Sequence, residues 1–302
     1  MKKSTVLWMI FAAALILAGG ILFGGVMTML QWDFNNLSTE KYETNSYEIT
    51  ESFTNISVIT NTANVVFTPS EDGKIRVVCY ESEQEKHAVS VKEGTLTIAL
   101  QSSKKWYHYI GIHVLGYPSI TVSLPLDAYS ALSVRGKTGA VKLAGAYSFE
   151  SVNISLSTGD IKVESISTGS MALSVTTGST RVSQVSCAGD ASFAASTGKT
   201  ELQELQCKNL ISTGSTGKLI MTHVVAAERM ELKRSTGNIT LHQCDAGEIS
   251  AKTSTGHVTA SLLSPKEFQV RTDTGRVEVP QSGTGGRCQI HTDTGNIEIT
   301  IV

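Results

Sequence analysis

The chain has 302 residues, 41% of them apolar and only 17% charged, and 69 are Ser or Thr. With 25 basic and 27 acidic residues its net charge is −2, which excludes a generic nucleic-acid binder, whose surface needs a strong basic excess. Apolar content this high excludes a disordered chain, and abundant Ser, Thr and Gly fit a β-protein with polar, repetitive turns.

Lys2 and Lys3 precede an uncharged run from Val6 to Leu30. At about 1.5 Å rise per residue, this run crosses a hydrocarbon core of about 30 Å. Trp8 lies near one end and Trp32 just past the other, where aromatic rings favour the interface. A cleaved signal peptide calls for an apolar stretch of roughly 7–15 residues and a small-x-small site. Here the stretch is longer and no A-x-A site follows. Residues 6–30 therefore predict an uncleaved signal anchor, with residues 1–5 as a cytoplasmic tail. No lysine recurs until Lys41, so the bulk of the chain is expected outside the cell membrane. Gly20 and Gly24 form a GxxxG, read as small residues tolerated in lipid, with helix pairing as the alternative. Residues 31–46 read as a polar stalk. Residues 47–135 hold short β-type runs (NISVIT, NVVFT, KIRVVCY, TLTIAL, SITVSLP) with turn-like EDGK and KEGT, an irregular β-region.

From residue 136 to 302 a Thr-Gly dipeptide recurs. Its glycines are Gly139, Gly159, Gly178, Gly198, Gly217, Gly237, Gly256, Gly275 and Gly295, spaced 19 or 20 residues apart. Two and four residues after each glycine come mostly apolar side chains, as in Val141 and Leu143, Ile161 and Val163, or Ile239 and Leu241. Such alternation is a strand with one buried face. Further apolar columns lie seven residues after the glycine and five before the next, the latter weakened at Ser212 and Ala251. Each unit of about 19.5 residues thus holds two short strands and two turns, with glycine where a tight turn needs positive φ or lacks room for Cβ. The fold class predicted is all-β: a parallel β-helix-like solenoid of about nine coils, with an irregular β N-terminal region and one preceding transmembrane helix. A leucine-rich repeat fails because its L-x-x-L-x-L-x-x-N pattern is absent, and the glycine phase shows no double-length propeller repeat.

An apolar anchor, then SVITNTANVVFTPSEDGKIRVV, then STGDIKV-like coils resembles the bacterial DUF4097 family, often labelled "putative adhesin". The resemblance covers most of residues 47–302 and implies a β-solenoid at the envelope of a bacterium of the Firmicutes type. The family has no established catalytic residues, so none is carried over.

Several motifs look chemical. Asp273-Thr274-Gly275 and Asp293-Thr294-Gly295 spell the D-T-G of aspartic proteases, but the same column holds Lys137, Ser157, Ser196 and Ser235 elsewhere, so the aspartates read as turn residues. Thr197-Gly198-Lys199-Thr200 ends like a phosphate loop, yet Phe193 stands where the P-loop needs its first glycine. Cys187 and Cys207 each lie nine residues after a coil glycine, within disulfide reach if stacked, and read as small buried thiols with a disulfide as the alternative. His223 and His242 lack thiol or carboxylate companions at matching positions and read as surface residues. No catalytic residue, cofactor or metal ligand is assigned.

Two features point to binding. Lys233, Lys252, Arg271 and His291 share the slot four residues before the glycine and predict a cationic ladder on consecutive coils, suited to a polyanion such as a phosphate-rich wall polymer or lipid headgroups. Lys142, Lys162 and Arg181 form a shorter second ladder. Lys104 to Tyr109 concentrates aromatics, and Trp106, Tyr107 and Tyr109 make a candidate contact for membrane or glycan, or a cover for the open solenoid end. The expected role is a non-enzymatic, adhesin-like or envelope-binding surface module anchored in the membrane through residues 6–30. Its expected partner is an anionic wall polymer or a membrane protein, with no nucleic acid. The alternatives are an accessory in envelope-stress signalling and a polysaccharide-active solenoid enzyme. An enzyme of that kind needs clustered acids or bases, whereas the outward columns are mainly Ser, Thr and Asn.

Overall fold

The computed structural model describes residues 3–32, 41–102, 117–281 and 283–302. Helix α1 (Lys3–Met29) covers the apolar run and is long and apolar enough to cross a membrane. The irregular region contributes β1 (Tyr42–Ile49), β2 (Asn55–Thr60), β3 (Asn64–Pro69), β4 (Ile75–Ser82), β5 (Glu85–Lys92), β6 (Thr95–Ser102) and β7 (Ser119–Leu124). The repeats begin with β8 (Ala128–Thr138), β9 (Val141–Ala144), β10 (Ser148–Thr158), β11 (Ile161–Glu164), β12 (Ser167–Thr177), β13 (Thr180–Cys187) and β14 (Asp190–Thr197). They continue with the long β15 (Thr200–Thr216), β16 (Leu219–Thr236) and β17 (Ile239–Thr255), then β18 (Val258–Leu262), β19 (Glu267–Thr274), β20 (Val277–Glu278), β21 (Arg287–Thr294) and β22 (Ile297–Ile301).

Nine Thr-Gly corners stack into a β-solenoid of about eight turns. The reason glycine recurs is visible at Gly198. Its φ is +143°, which L side chains rarely adopt, and a Cβ there would lie 1.8 Å from the carbonyl oxygen of Gly178 one coil away. Each corner therefore rests backbone on backbone, and the Gly198 amide donates to the Thr216 carbonyl of the next coil at 2.9 Å. On both sides of the corner the inward residues stack in register. One column runs Val134, Ile154, Leu173, Phe193, Ser212, Leu232 and Ala251 across parallel pairs. A second bend follows six residues after the glycine, where Ser165, Gln184, Glu204, His223 and Gln243 hold φ between 50° and 59°.

Stacking in sequence order holds from β8 to β18 and fails at both ends. At the N-terminal end β2 lies between β6 and β8, and β3 between β7 and β9, so the later β6–β7 coil is the outer one. Antiparallel β5 and β4 then cover β6 and β7, and β1 pairs with β4. β1 starts at Tyr42, inside the stretch expected as stalk. Its alternating polar residues belong to a half-buried edge strand, and Tyr42 stacks on Tyr80 with ring centroids 5.3 Å apart.

At the C-terminal end β17 and β18 pair with β21 and β22, which in turn pair with β19 and β20. The last unit in sequence is thus inserted beneath the penultimate one. Burial differs between the two units accordingly. The inserted unit turns Cys288, Ile290, Ile297 and Ile299 inward, all buried, while the outer unit offers Phe268 and Val270, partly buried, and Val277 and Val279, exposed. The crossing segment is pinned by buried Lys266, whose ammonium pairs with Asp245 at 2.6 Å and donates to the Ala246 carbonyl.

Gly198→Ala combines a strained φ with a backbone clash, whereas Gly73, at φ +72°, has open space around its missing Cβ. Thermal unfolding of the full chain in detergent should show Gly198→Ala destabilised by about 3 kcal/mol or more and Gly73→Ala by about 1 kcal/mol. Equal losses would contradict the stacked corner.

Candidate polyanion-binding face

The outward slot four residues before each corner forms one column on the long-strand face. In register it runs Ser174, Ala194, Thr213, Lys233, Lys252, His291 and Arg271. The four predicted ladder residues are therefore together, but in a corrected order. His291, not Arg271, follows Lys252, because the last unit is inserted. Adjacent members are about 4.8 Å apart along the stack.

Carboxylates from flanking slots answer part of this charge. Lys233 pairs with Glu231, Arg271 with Asp273 at 2.9 Å, and His291 with Asp293 at 2.8 Å. The hydrogen bond from His291 does most to hold the Asp293 carboxyl below the usual carboxylate range. Lys252 stands between Lys233 and His291 and makes no ion pair among the described residues. Two grooves flank it. One, of about 420 Å³, is lined by Ser196, Ser215, Lys233, Arg234, Lys252 and Ser254 among others. The other, of about 250 Å³, lies along Lys252, Gln269, Arg271, Gln289 and His291.

The second ladder is also real in register, Lys142 beside Lys162 and Lys162 beside Arg181. Two of its three members are answered: Lys162 pairs with Glu164 at 2.8 Å and Arg181 with Glu201 at 2.6 Å. Asp273 and Asp293 stand on neighbouring coils, and each has its own partner: Asp273 pairs with Arg271 and Asp293 is hydrogen-bonded to His291. Trp106, Tyr107 and Tyr109 lie outside the described residues.

A family model described as Toastrack DUF4097 matches residues 53–300. The chain belongs to the Toastrack family. Among solved structures this Toastrack chain resembles a "putative adhesin" from Bacteroides fragilis, at 17% identity and TM-score 0.42, with 87% of this chain and 98% of that one covered. A "putative adhesin" from Parabacteroides merdae is similar at 11% identity and TM-score 0.49, covering 88% and 98%. A "putative lipid binding protein" from Parabacteroides distasonis follows at 17% and 0.43, covering 86% and 97%. No curated protein matches.

All five Toastrack cysteines are buried free thiols. Burial pushes Cys207 and Cys288 up to about 12, so neither is a ready nucleophile. A polar cluster that sequence reasoning missed lies in the N-terminal cap. Cys79, Glu81 and His87 are buried, with their ligand-type atoms within 4.8 Å of one another. Glu81 accepts from the His87 backbone amide and from Asn45 Nδ2, and it bonds His87 Nδ1 at 2.7 Å. His87 Nε2 meets Thr60 Oγ1 at 3.1 Å. Both ring nitrogens are thus occupied, and the cluster reads as a satisfied polar core that ties β4 and β5 to the first coil. Denaturant unfolding of Glu81→Ala should show a loss of about 3–5 kcal/mol, because it strands His87 in the core. Glu81→Leu combined with His87→Leu should lose less. A larger loss in the double variant would refute this reading.

Proposed function

We propose that this Toastrack protein is a membrane-anchored, extracytoplasmic, non-enzymatic surface module that binds anionic polymers of the cell envelope along its long-strand face. The orientation is supported by Lys2 and Lys3, which precede the apolar run Val6 to Leu30 and favour the cytoplasmic side. The single observation that carries the binding reading is the in-register column Lys233–Lys252–His291–Arg271. Like charges about 4.8 Å apart repel by roughly 1 kcal/mol per pair in water, and a polyanion laid along them removes that repulsion. Beside the column the acids Glu231 and Asp273 are engaged by Lys233 and Arg271, and Asp293 is hydrogen-bonded to His291, which supports a binding face over an acid–base one.

The test compares the full chain in detergent with its Lys233→Ser/Lys252→Ser/Arg271→Ser variant on isolated bacterial wall and membrane fractions. Wild-type binding should fall at least tenfold from low to high salt, as the Debye length shrinks from about 30 to about 3 Å, and the variant should lose most of it. Binding that resists salt and survives the substitutions would overturn the reading and direct attention to a protein partner at the membrane.

A further inference from the structure

The N-terminal cap holds chemistry of a different kind from the polyanion-binding face. Cys79 and Glu81 lie two residues apart on β4, so their side chains leave the same side of the strand, and β5 brings His87 against them. Cys79 and Glu81 are 0% exposed and His87 is 3% exposed. The thiol sulfur, a carboxylate oxygen and a ring nitrogen all lie within 4.8 Å of one another.

Partners outside the cluster hold two of the three groups in place. His87 Nε2 meets Thr60 Oγ1 at 3.1 Å, and that oxygen also accepts from the Ala63 amide. Glu81 Oε1 accepts from Asn45 Nδ2 at 2.8 Å, and Oε2 accepts from the His87 amide at 2.7 Å. An imidazole whose far nitrogen is tied to an oxygen is the usual arrangement of a metal ligand. When Nε2–H donates to Thr60, Nδ1 turns its lone pair toward Glu81 Oε2, only 2.7 Å away. Two acceptors then face each other unless a proton or a cation lies between them. A proton answers that pair but leaves the third member out, because the Cys79 thiol takes no hydrogen bond among the described residues. A metal ion answers all three at once.

We propose that Cys79, Glu81 and His87 bind one zinc ion, which fastens the cap to the first coil. Thiolate, imidazole and carboxylate are the side-chain ligands that zinc takes, and a sulfur ligand disfavours magnesium and calcium. Atoms bound to a common zinc stand roughly 3.4–3.6 Å apart, so the Nδ1–Oε2 contact opens by about 0.7 Å while the sulfur closes in. Coordination releases the thiol proton and the proton held between Glu81 and His87. Three protein ligands leave the fourth tetrahedral position to a water. Asn45 and Thr60 remain as outer partners, so one ion links β1, β2, β4 and β5. The Glu81 and His87 variants described above compare zinc-free chains, in which the hydrogen bonds act alone.

The test uses the untagged full chain, purified in detergent without chelator from cells grown with added zinc. Metal analysis should find zinc retained through dialysis. X-ray absorption at the zinc edge should show one sulfur at about 2.3 Å beside nitrogen or oxygen neighbours at about 2.0 Å. The zinc-loaded chain should unfold several degrees above the same chain stripped with EDTA, as expected when a ligand binds only the folded state. Cys79→Ser and His87→Gln should bind zinc at least tenfold more weakly. His291→Gln should leave the sulfur-ligated zinc untouched, although His291 belongs to the outward group of ligand-type atoms with Asp273 and Asp293. No retained zinc, a zinc shell without sulfur, or undiminished binding by folded Cys79→Ser overturns the site. The absorption spectrum is read on wild type, so it decides even where substitutions in the core prevent folding.

Discussion

Everything in this molecule depends on one close contact, the glycine corner seated on the carbonyl of the corner below it. With no Cβ between them, successive coils approach to strand-pairing distance on both sides of the turn, and every corner amide but that of Gly275 in the outermost coil donates to a Thr carbonyl in the neighbouring coil. A single coil buries too few apolar side chains to order itself, so the chain folds only as a stack. Fixing the corner fixes the register, and fixing the register turns each sequence slot into a column. Inward slots become a continuous apolar spine, and outward slots become ladders of like residues.

The ends of the stack obey a different constraint. An outermost coil has one face without a neighbour. At the C-terminus that place falls to β19–β20, and the Ile-bearing β21–β22 lies in the interior, with Lys266 and Asp245 anchoring the crossing. At the N-terminus antiparallel strands and the Glu81–His87 cluster close the stack, which limits exposed edges. The exchange also has a chemical result: it places His291 beside Lys252 and sends Arg271, paired with Asp273, to the rim. Along the face, Lys252 alone of the three Lys/Arg members makes no ion pair among the described residues, with Lys233 answered by Glu231 on one side and Arg271 by Asp273 at the rim.

Much of this was legible in the sequence. The recurring glycines and the alternating residues after them specify corners, strands and inward columns, because both follow from backbone sterics and strand period. Membership of the cationic column was legible for the same reason. Its order was not: a repeat of constant length says which residues share a slot but not which coil lies next to which, and Arg271 and His291 are interchangeable on that evidence. β1 was hidden because an edge strand needs little apolar patterning. Cys79 and Glu81 lie two apart on one strand, facing the same way, but their meeting with His87 depends on antiparallel pairing in the cap, which has no repeat to announce it. Arg234 had a signal that went unused. A charged residue in a slot occupied elsewhere by Leu156, Val175 and Ala195, one coil from a glycine in the same slot, marks a buried cation with room made for it.

The inserted last unit is what turns a periodic sequence into this particular binding face, and cross-linking tests it most directly. Lys252→Cys can be combined with either His291→Cys or Arg271→Cys in the full chain and oxidised mildly. The native thiols are buried, with Cys244 pushed up to about 11 and Cys288 to about 12, and compete little. Neighbouring parallel strands lie about 4.8 Å apart, inside the roughly 4.4–6.8 Å range of disulfide Cα separations, whereas strands two coils apart lie well outside it. The Lys252→Cys/His291→Cys pair should close and the Lys252→Cys/Arg271→Cys pair should not. Closure of the second pair without the first would mean that the coils stack in sequence order, and would contradict the account.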